Sequence, residues 1–129
     1  CVTLFTTGSA CKHFQASCSS IKTGTFIQHA KFNNKSIVIE RNDSLQVEKD
    51  LVSGATATSR IKWITPCSYL LIPMPARGTT PDKTDQYFQA HPFTVNIVEV
   101  KKSYYIFTCV ADSADFKTVI MRDTLFTQH

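Results

Sequence analysis

The sequence has few glycines, no closely spaced cysteine pair and no long apolar run, and each absence excludes a class of protein. The four glycines are isolated from one another, which excludes the clustered-glycine loops that cradle phosphate groups. No cysteines show C-x-x-C spacing and no histidines show H-x-x-x-H spacing, so we predict no metal site and no cofactor. No apolar run approaches the roughly 20 residues that a membrane-spanning helix needs.

Recognisable catalytic motifs are also missing. There is no G-x-S-x-G segment, and no cysteine lies in a protease-like context. Glu40 and Glu48 are candidate cross-strand neighbours, but Arg41, Lys49 and Arg60 nearby favour surface ion pairs over acid–base chemistry. We therefore assign no catalytic residue and predict that the protein is not an enzyme.

What the sequence does contain is typical of one globular β domain. Its 129 residues are 43% hydrophobic and 19% charged, which is within the range of folded domains. Nine Phe and four Tyr accompany many Val, Ile and Thr, and these residues favour strands. The net charge of +4 is spread along the chain, with its tightest clusters only at Lys31–Lys35 and Lys101–Lys102, so we predict no nucleic-acid partner.

The five cysteines favour an oxidising compartment, because such a number is unusual in a reducing cytosol. Two disulfides and one remaining cysteine allow many connectivities, with Cys1 as the natural remainder. Cleavage of a signal peptide directly before a cysteine is the lipoprotein pattern, in which that cysteine carries the lipid. We expect export and lipidation at Cys1; the alternative is an arbitrary boundary that happens to fall on a cysteine.

Period-two alternation between turn signals predicts eight strands. Residues 1–20, rich in Ser and Thr, are predicted to form an N-terminal tether, and residues 21–129 a single β domain. Apolar positions predicted to share one face of their strand are Ile37 with Ile39, Leu45 with Val47, and Phe93 with Val95 and Ile97; of these, Leu45 and Val47 are predicted to point inward. The predicted strands are Thr25–His29, Ser36–Arg41, Leu45–Lys49, Ser59–Thr65, Cys67–Ile72, Phe93–Lys101, Tyr104–Ala111 and Lys117–Phe126.

The connections between these strands are mostly tight, which predicts an antiparallel up-and-down meander. Closure removes exposed edges, so we expect a small barrel of the lipocalin or calycin type, with a strongly curved open sheet as the alternative. One short helix is predicted near residues 81–89, with Thr80 as its N-cap and Pro81 as its first residue. Trp63, Phe93 and Tyr105 are the candidate ligand-binding residues; the competing interpretation is that Trp63 only fills the core.

Several segments match short motifs of one known protein family, over about residues 18–127. The family motif C-x-x-F-K-x-G-x-F resembles the segment Cys18-Ser19-Ser20-Ile21-Lys22-Thr23-Gly24-Thr25-Phe26. The segment Arg41-Asn42-Asp43-Ser44-Leu45-Gln46-Val47-Glu48 resembles R-x-D-S-x-Q-x-E. The family motif I-x-W-x-x-x-C-x-Y-x-L resembles the segment Ile61-Lys62-Trp63-Ile64-Thr65-Pro66-Cys67-Ser68-Tyr69-Leu70. The set is completed by Tyr105-Ile106-Phe107 and by Asp123-Thr124-Leu125-Phe126, the latter where the family has G-T-L. Through these motifs the chain resembles a family of small exported lipoproteins of the Bacteroidetes type, which has no established activity.

This resemblance implies a disulfide between the matched cysteines Cys18 and Cys67. We also predict a second pairing, Cys11 with Cys109, which departs from the family pattern. The resemblance also places the lipid at Cys1 and the protein in the periplasm or cell envelope, touching the membrane only through that anchor.

We therefore expect a non-enzymatic binding or interaction module of the cell envelope. Its partner would be an unknown small apolar ligand or an envelope protein. The alternatives are a lipocalin-like carrier of a small hydrophobic ligand and an enzyme with a cryptic site.

Overall fold

The computed structural model is a closed barrel of eight antiparallel strands, each hydrogen-bonded to its neighbour in sequence, and the last to the first. The structure describes residues 17–30, 34–75, 78, 80–112 and 117–128. The predicted up-and-down β-barrel is confirmed. The strands are β1 (Gly24–Ala30), β2 (Lys35–Arg41), β3 (Leu45–Asp50), β4 (Thr56–Thr65), β5 (Ser68–Pro73), β6 (Phe93–Val100), β7 (Tyr104–Asp112) and β8 (Lys117–Thr127).

Short polar residues form several of the turns. Asn34, between β1 and β2, has φ of 55°, a left-handed conformation that Asn tolerates better than most residues. The side chain of Asn42 accepts hydrogen bonds from the backbone N–H groups of Ser44 and Leu45, at 2.9 and 2.8 Å, and so closes the β2–β3 turn. Asp50 does the same for the β3–β4 turn. Local side-chain chemistry therefore fixes where these strands end.

The up-and-down order gives the barrel two distinct ends. The β2–β3, β4–β5 and β6–β7 connections lie at one end, where a helical turn at residues 17–19 leads into β1. We call this the disulfide end, because Cys18 and Cys67 are bonded there. The β1–β2, β3–β4, β5–β6 and β7–β8 connections lie at the other end, the helix end. Of the predicted tether, residues 1–16 lie outside the described residues.

The helix end takes its name from α1 (Lys83–Ala90), which lies between β5 and β6 and packs against β5. The predicted helix exists, but its predicted start is wrong. Asp82, not Thr80, is the N-cap: its carboxylate accepts from the Asp85 N–H at 2.8 Å, and Asp85 accepts from the Asp82 N–H at 3.0 Å. Because of this reciprocal capping box, the first turn of the helix begins after Pro81 and does not include it.

The inner wall of the barrel is apolar and aromatic along most strands. On β2 and β6 the residues predicted to share a face do so, and that face is the inner one, since Ile39, Val95 and Ile97 are buried and Ile37 and Phe93 pack against them. The fully buried side chains with the largest volumes are Tyr105, Phe26, Ile39 and Cys18.

Strand β3 has the opposite orientation to the one predicted. Antiparallel partners share a face, and the register pairs Ile39 with Glu48 and Arg41 with Gln46. Because Ile39 is buried inside, Gln46 and Glu48 also point inward, and Gln46 is only 4% exposed. The prediction that Leu45 and Val47 point inward is wrong. They line an open groove of about 360 Å³ on the outer wall, together with Gly24, Thr25, Glu40, Arg41 and Asn42.

Candidate functional site

A buried arginine lies inside the barrel at the disulfide end. Arg41 is the last residue of β2 and follows Ile37 and Ile39 on the inner face, where it is 4% exposed. The interpretation of Arg41 as part of a surface ion pair is therefore wrong. Glu40 and Glu48 are not cross-strand neighbours either, because Glu40 pairs with Val47 on the outer face.

The guanidinium of Arg41 donates four hydrogen bonds to protein acceptors. Nε donates to Gln46 Oε1 at 3.0 Å, and Nη1 donates to the backbone carbonyl of Ile21 at 2.9 Å. Nη2 donates to the hydroxyl groups of Tyr69 at 3.1 Å and Tyr105 at 2.6 Å. We call these five residues the Arg41 cluster. It ties β2, β3, β5 and β7 to the chain segment that precedes β1.

Aromatic rings surround the same guanidinium. Its Cζ lies 4.9 Å from the ring centre of Phe26, 5.1 Å from Tyr69 and 5.7 Å from Tyr105. The Phe26 and Tyr105 rings meet edge to face at 5.4 Å. Attraction between a cation and ring faces is strongest where water is excluded. The aromatic shell therefore offsets part of the cost of removing this charge from water.

Burial and charge set the protonation states in the cluster. Burial alone would lower the pKa of Arg41, but the neighbouring Tyr105, Tyr69 and Glu48 oxygens outweigh it and raise that pKa, so the guanidinium keeps its charge. Burial raises the pKa of Tyr69 and of Tyr105, although Arg41 opposes the shift in both. Both phenols remain neutral at physiological pH. The cluster is a single positive charge held by neutral acceptors.

A small cavity of about 100 Å³ adjoins the cluster inside the barrel. Pockets for drug-sized ligands are about 300–1,000 Å³, whereas a water molecule takes up about 30 Å³ of liquid volume. The cavity therefore has room for a few water molecules but not for a lipid or a steroid. Its lining residues are Gln28, Ile39, Gln46, Glu48, Tyr69, Leu71, Val95, Phe107, Cys109, Met121 and Leu125.

The carboxyl group of Glu48 faces this cavity. Burial raises the pKa of Glu48, and the charge of Arg41 and a hydrogen bond with Gln46 only partly oppose the shift. The native state therefore keeps a proton on Glu48 over a pH window in which the unfolded chain has already lost it. Stability must fall as the pH rises through that window, because the native state binds more protons than the unfolded state there.

We expect Glu48→Gln to remove this pH dependence. The variant should match the wild type below the unfolded carboxyl pKa of about 4.3 and become increasingly more stable than it as the pH rises towards neutral. Urea unfolding of both proteins from acidic to neutral pH measures the difference. Glu40→Gln, on the outer face of the neighbouring strand, is the matched control and should track the wild type. A constant Glu48→Gln difference across all pH values would contradict the assignment.

A second polar pair and a free thiol complete the interior. Gln28 donates to Asp123 Oδ2 at 3.0 Å and approaches the Met121 sulfur at 3.6 Å, and both Gln28 and Asp123 are buried. Asp123 also accepts from the N–H of Thr124 at 2.8 Å. Burial, with a smaller contribution from Glu48, raises the pKa of the Cys109 thiol to about 11. That thiol is therefore protonated and unreactive in the native state.

The structure separates the three candidate ligand-binding residues. Tyr105 is fully buried in the Arg41 cluster, and Phe93 stacks at 4.7 Å on Phe88 of α1. Trp63 packs on Tyr69 at 4.8 Å, and its buried Nε1 has no hydrogen-bond partner among the described residues. None of the three lines the 100 Å³ cavity. Their role in ligand binding stays a prediction.

The cysteine predictions have mixed outcomes. The disulfide between Cys18 and Cys67 is confirmed, with a Cα–Cα distance of 5.3 Å. The pairing of Cys11 with Cys109 is wrong, because Cys109 is a free thiol buried inside the barrel. Cys11 itself and the predicted lipidation site Cys1 lie outside the described residues.

The motifs quoted for the family resemblance converge on this site. The R-x-D-S-x-Q-x-E segment supplies Arg41, Gln46 and Glu48, and the next segment supplies Tyr69. The residues were thus present in the sequence analysis, but not as a cluster. The signal that could have identified Arg41 as an inward residue was the period-two alternation of β2, because Arg41 follows Ile37 and Ile39 on the same face.

The described residues form no metal centre and no membrane-spanning helix. Within the described ranges, no group of three His, Cys, Asp or Glu side chains is placed to hold a metal ion. The helices of the same ranges are too short and too polar to cross a bilayer. Comparisons of the chain with protein-family models, with curated proteins and with solved structures find no match.

Proposed function

We propose that this protein is a non-enzymatic binding module of the cell envelope that engages a protein partner through the outer wall of its barrel. The observation that carries the proposal is an interior that the side chains of the described residues largely fill. Side chains occupy the barrel, and the cavity beside the Arg41 cluster measures only about 100 Å³. Recognition by such a barrel must use its exterior.

The exterior offers an apolar surface for that purpose. The strand registers place Tyr104 beside Phe126, Phe126 beside Ile27, and Ile27 beside Val38, in one row across β7, β8, β1 and β2. Phe126 is 40% exposed, and the ring of His29 lies 5.8 Å from it. Strand faces exposed to water are normally polar. We call Tyr104, Phe126, Ile27 and Val38 the outer apolar row, and a protein partner with an apolar centre fits it.

The alternatives have less support. A carrier of small hydrophobic ligands needs a larger cavity than the one inside this barrel. An enzyme with a cryptic site would need hydrogen-bonded titratable groups that a substrate can reach. Arg41, Tyr69 and Tyr105 are hydrogen-bonded to one another, but all three are buried.

The cellular location is part of the same proposal. A disulfide between Cys18 and Cys67 is what an exported protein in an oxidising compartment would carry. We propose export to the periplasm or cell envelope, lipidation at Cys1 and membership of the small lipoprotein family that the sequence resembles. Convergence of the resembling segments on one buried cluster supports a shared core architecture.

Photo-crosslinking from the outer apolar row tests the partner proposal. A crosslinker placed at Phe126 should form one discrete protein adduct in the native envelope, whereas one at Val52, which is 86% exposed at the helix end, should not. The purified adduct partner should bind Phe126→Glu about thirtyfold more weakly than the wild type, as at a typical interface hot spot. Val52→Glu should bind it like the wild type.

Two results would overturn the proposal. One is equal binding of the adduct partner to the wild type and to Phe126→Glu. The other is stoichiometric, saturable binding of a fluorescent fatty-acid probe that competing fatty acids displace, because a filled barrel has no room for an acyl chain.

A further inference from the structure

Two β-bulges place apolar side chains in solvent near the disulfide end. On β4, Trp63 pairs with Tyr69 and Thr65 with Ser68, so Ile64 is the extra residue between them. On β6, the register likewise skips Val98, between Ile97 and Glu99. Ile64 is 55% exposed and Val98 is 42% exposed. Bulges re-aim side chains and are over-represented at functional positions.

The two bulged residues flank the same turn. β4 and β6 are the two neighbours of β5, and the β4–β5 turn at Pro66 and Cys67 lies between them. The backbone N–H of Ile97 donates to the Cys67 carbonyl at 2.8 Å, which holds Val98 next to this turn. Pro66 is itself exposed. We call Ile64, Pro66 and Val98 the bulge corner.

Lysines surround the bulge corner. Lys101 forms an ion pair with Glu99 at 3.3 Å, but Lys22, Lys62 and Lys102 show no ion pair within the described part of the chain. Lys22 lies over the ring of Trp63, 5.3 Å from its centre. Exposed lysines at this end are Lys22, Lys62, Lys101 and Lys102, against the exposed carboxylates of Glu40, Asp43 and Glu99.

The helix end has a different charge pattern around its exposed apolar residues. Leu51 and Val52 are 52% and 86% exposed, but Lys35 near them is paired with Asp50 at 3.3 Å. The start of α1 adds the exposed Asp82 and Lys83 to this end, and Lys49 of β3 is exposed there as well. Among the described residues, the helix end therefore balances three lysines (Lys35, Lys49 and Lys83) against three carboxylates (Asp50, Asp82 and Asp85), whereas at the disulfide end lysines outnumber carboxylates beside exposed apolar residues. This combination matches an anionic lipid surface, which attracts lysine at its headgroups and accepts aliphatic side chains beneath them.

We infer that the bulge corner docks on an anionic bilayer, with Ile64 and Val98 among the headgroups and the surrounding lysines at the level of the phosphates. The disulfide supports this orientation, because it holds Cys18, where the chain approaches β1, at the same end. The contact goes beyond the lipid anchor expected at Cys1 and requires neither that lipid nor the protein partner proposed above. A single acyl chain gives only marginal membrane binding, so a second contact of this kind would make the attachment stable.

Vesicle sedimentation of the unlipidated chain tests the inference. The protein should bind vesicles of phosphatidylcholine mixed with phosphatidylglycerol, bind pure phosphatidylcholine much more weakly, and dissociate at high salt. Each lysine near an anionic surface contributes about fivefold in affinity, so Lys62→Gln/Lys102→Gln should weaken binding by roughly 25-fold. Ile64→Glu/Val98→Glu should weaken it by at least about tenfold. Both pairs are exposed, and an unchanged melting temperature shows that the variants fold.

Trp63, the single tryptophan of the chain, gives an independent readout because it precedes Ile64. Brominated lipids should quench its fluorescence in the wild type and not in Ile64→Glu/Val98→Glu. The matched control is Val52→Glu, which should bind vesicles like the wild type. Loss of binding in Val52→Glu alone would overturn the proposal, as would equal affinity for the two vesicle types. Binding that depends on the lysines but not on Ile64 and Val98 would overturn it as well.

Discussion

Replacing Arg41 with methionine is expected to destabilise the fold by about 3–5 kcal/mol, because each buried acceptor left without a donor costs about 1–3 kcal/mol. The substitution leaves the Ile21 carbonyl and the Gln46 side chain without their donor. It also removes the cation that interacts with three aromatic rings and with the buried carboxyl of Glu48. Since a domain is stable by only about 5–15 kcal/mol, the loss should be large in any unfolding experiment.

Equilibrium unfolding in urea measures the effect, and Arg60→Met is its control. Arg60 lies on the outer face of β4 and is exposed, so its replacement should change the free energy of unfolding by no more than about 0.5 kcal/mol. Methionine fills a similar volume at both positions, so the comparison isolates burial. Equal effects of the two substitutions would show that Arg41 does not organise the interior.

Replacing both Cys18 and Cys67 with serine is expected to cost about 4 kcal/mol in the chain-entropy model. The bridge joins residues separated by 49 positions, so its loss frees a long loop in the unfolded chain. For a domain of this size, the loss should lower the melting temperature by about 15 °C.

Calorimetry with and without reductant checks this prediction. Reductant should lower the melting temperature of the wild type to about that of the double variant. A double variant that melts with the non-reduced wild type would contradict it. The variant should still fold, because the hydrogen bond from Arg41 to the Ile21 carbonyl also holds the chain before β1 against the barrel.

The sequence was sufficient to predict the strands and their order. Turn signals at Asn34 and Asn42 mark real turns, where side chains or left-handed backbone stop the strands. Short connections then leave a meander as the simplest topology. Closure of the sheet could also be predicted, because eight strands in this order have no exposed edges only when they form a barrel.

Which face of β3 points into the barrel could not be predicted in the same way. Period-two alternation shows that Leu45 and Val47 share a face, but not which face is inside. Hydrophobicity points to the wrong answer here, because the interior needs Gln46 to accept a hydrogen bond from Arg41. The register between β2 and β3 decides the matter, and register is a property of the assembled sheet.

Tertiary packing likewise determines which neighbours surround each aromatic residue. Trp63, Phe93 and Tyr105 all lie on strands, as predicted, but on parts of the barrel with different neighbours. Phe93 is covered by α1, whereas Tyr105 is held by Arg41. Sequence patterns identify such residues as candidates and do not show what fills the space between them.

Closure of the barrel depends on a short seam. Among the described residues, the backbone ladder between β1 and β8 has only three residue pairs, and the central pair is Ile27 with Phe126, two members of the outer apolar row. Transient separation there would expose two unsatisfied strand edges, the usual starting point for domain swapping and fibre growth. A protein bound over this row would therefore hold β1 and β8 together. It would slow amide hydrogen exchange along the seam and protect the chain from self-association.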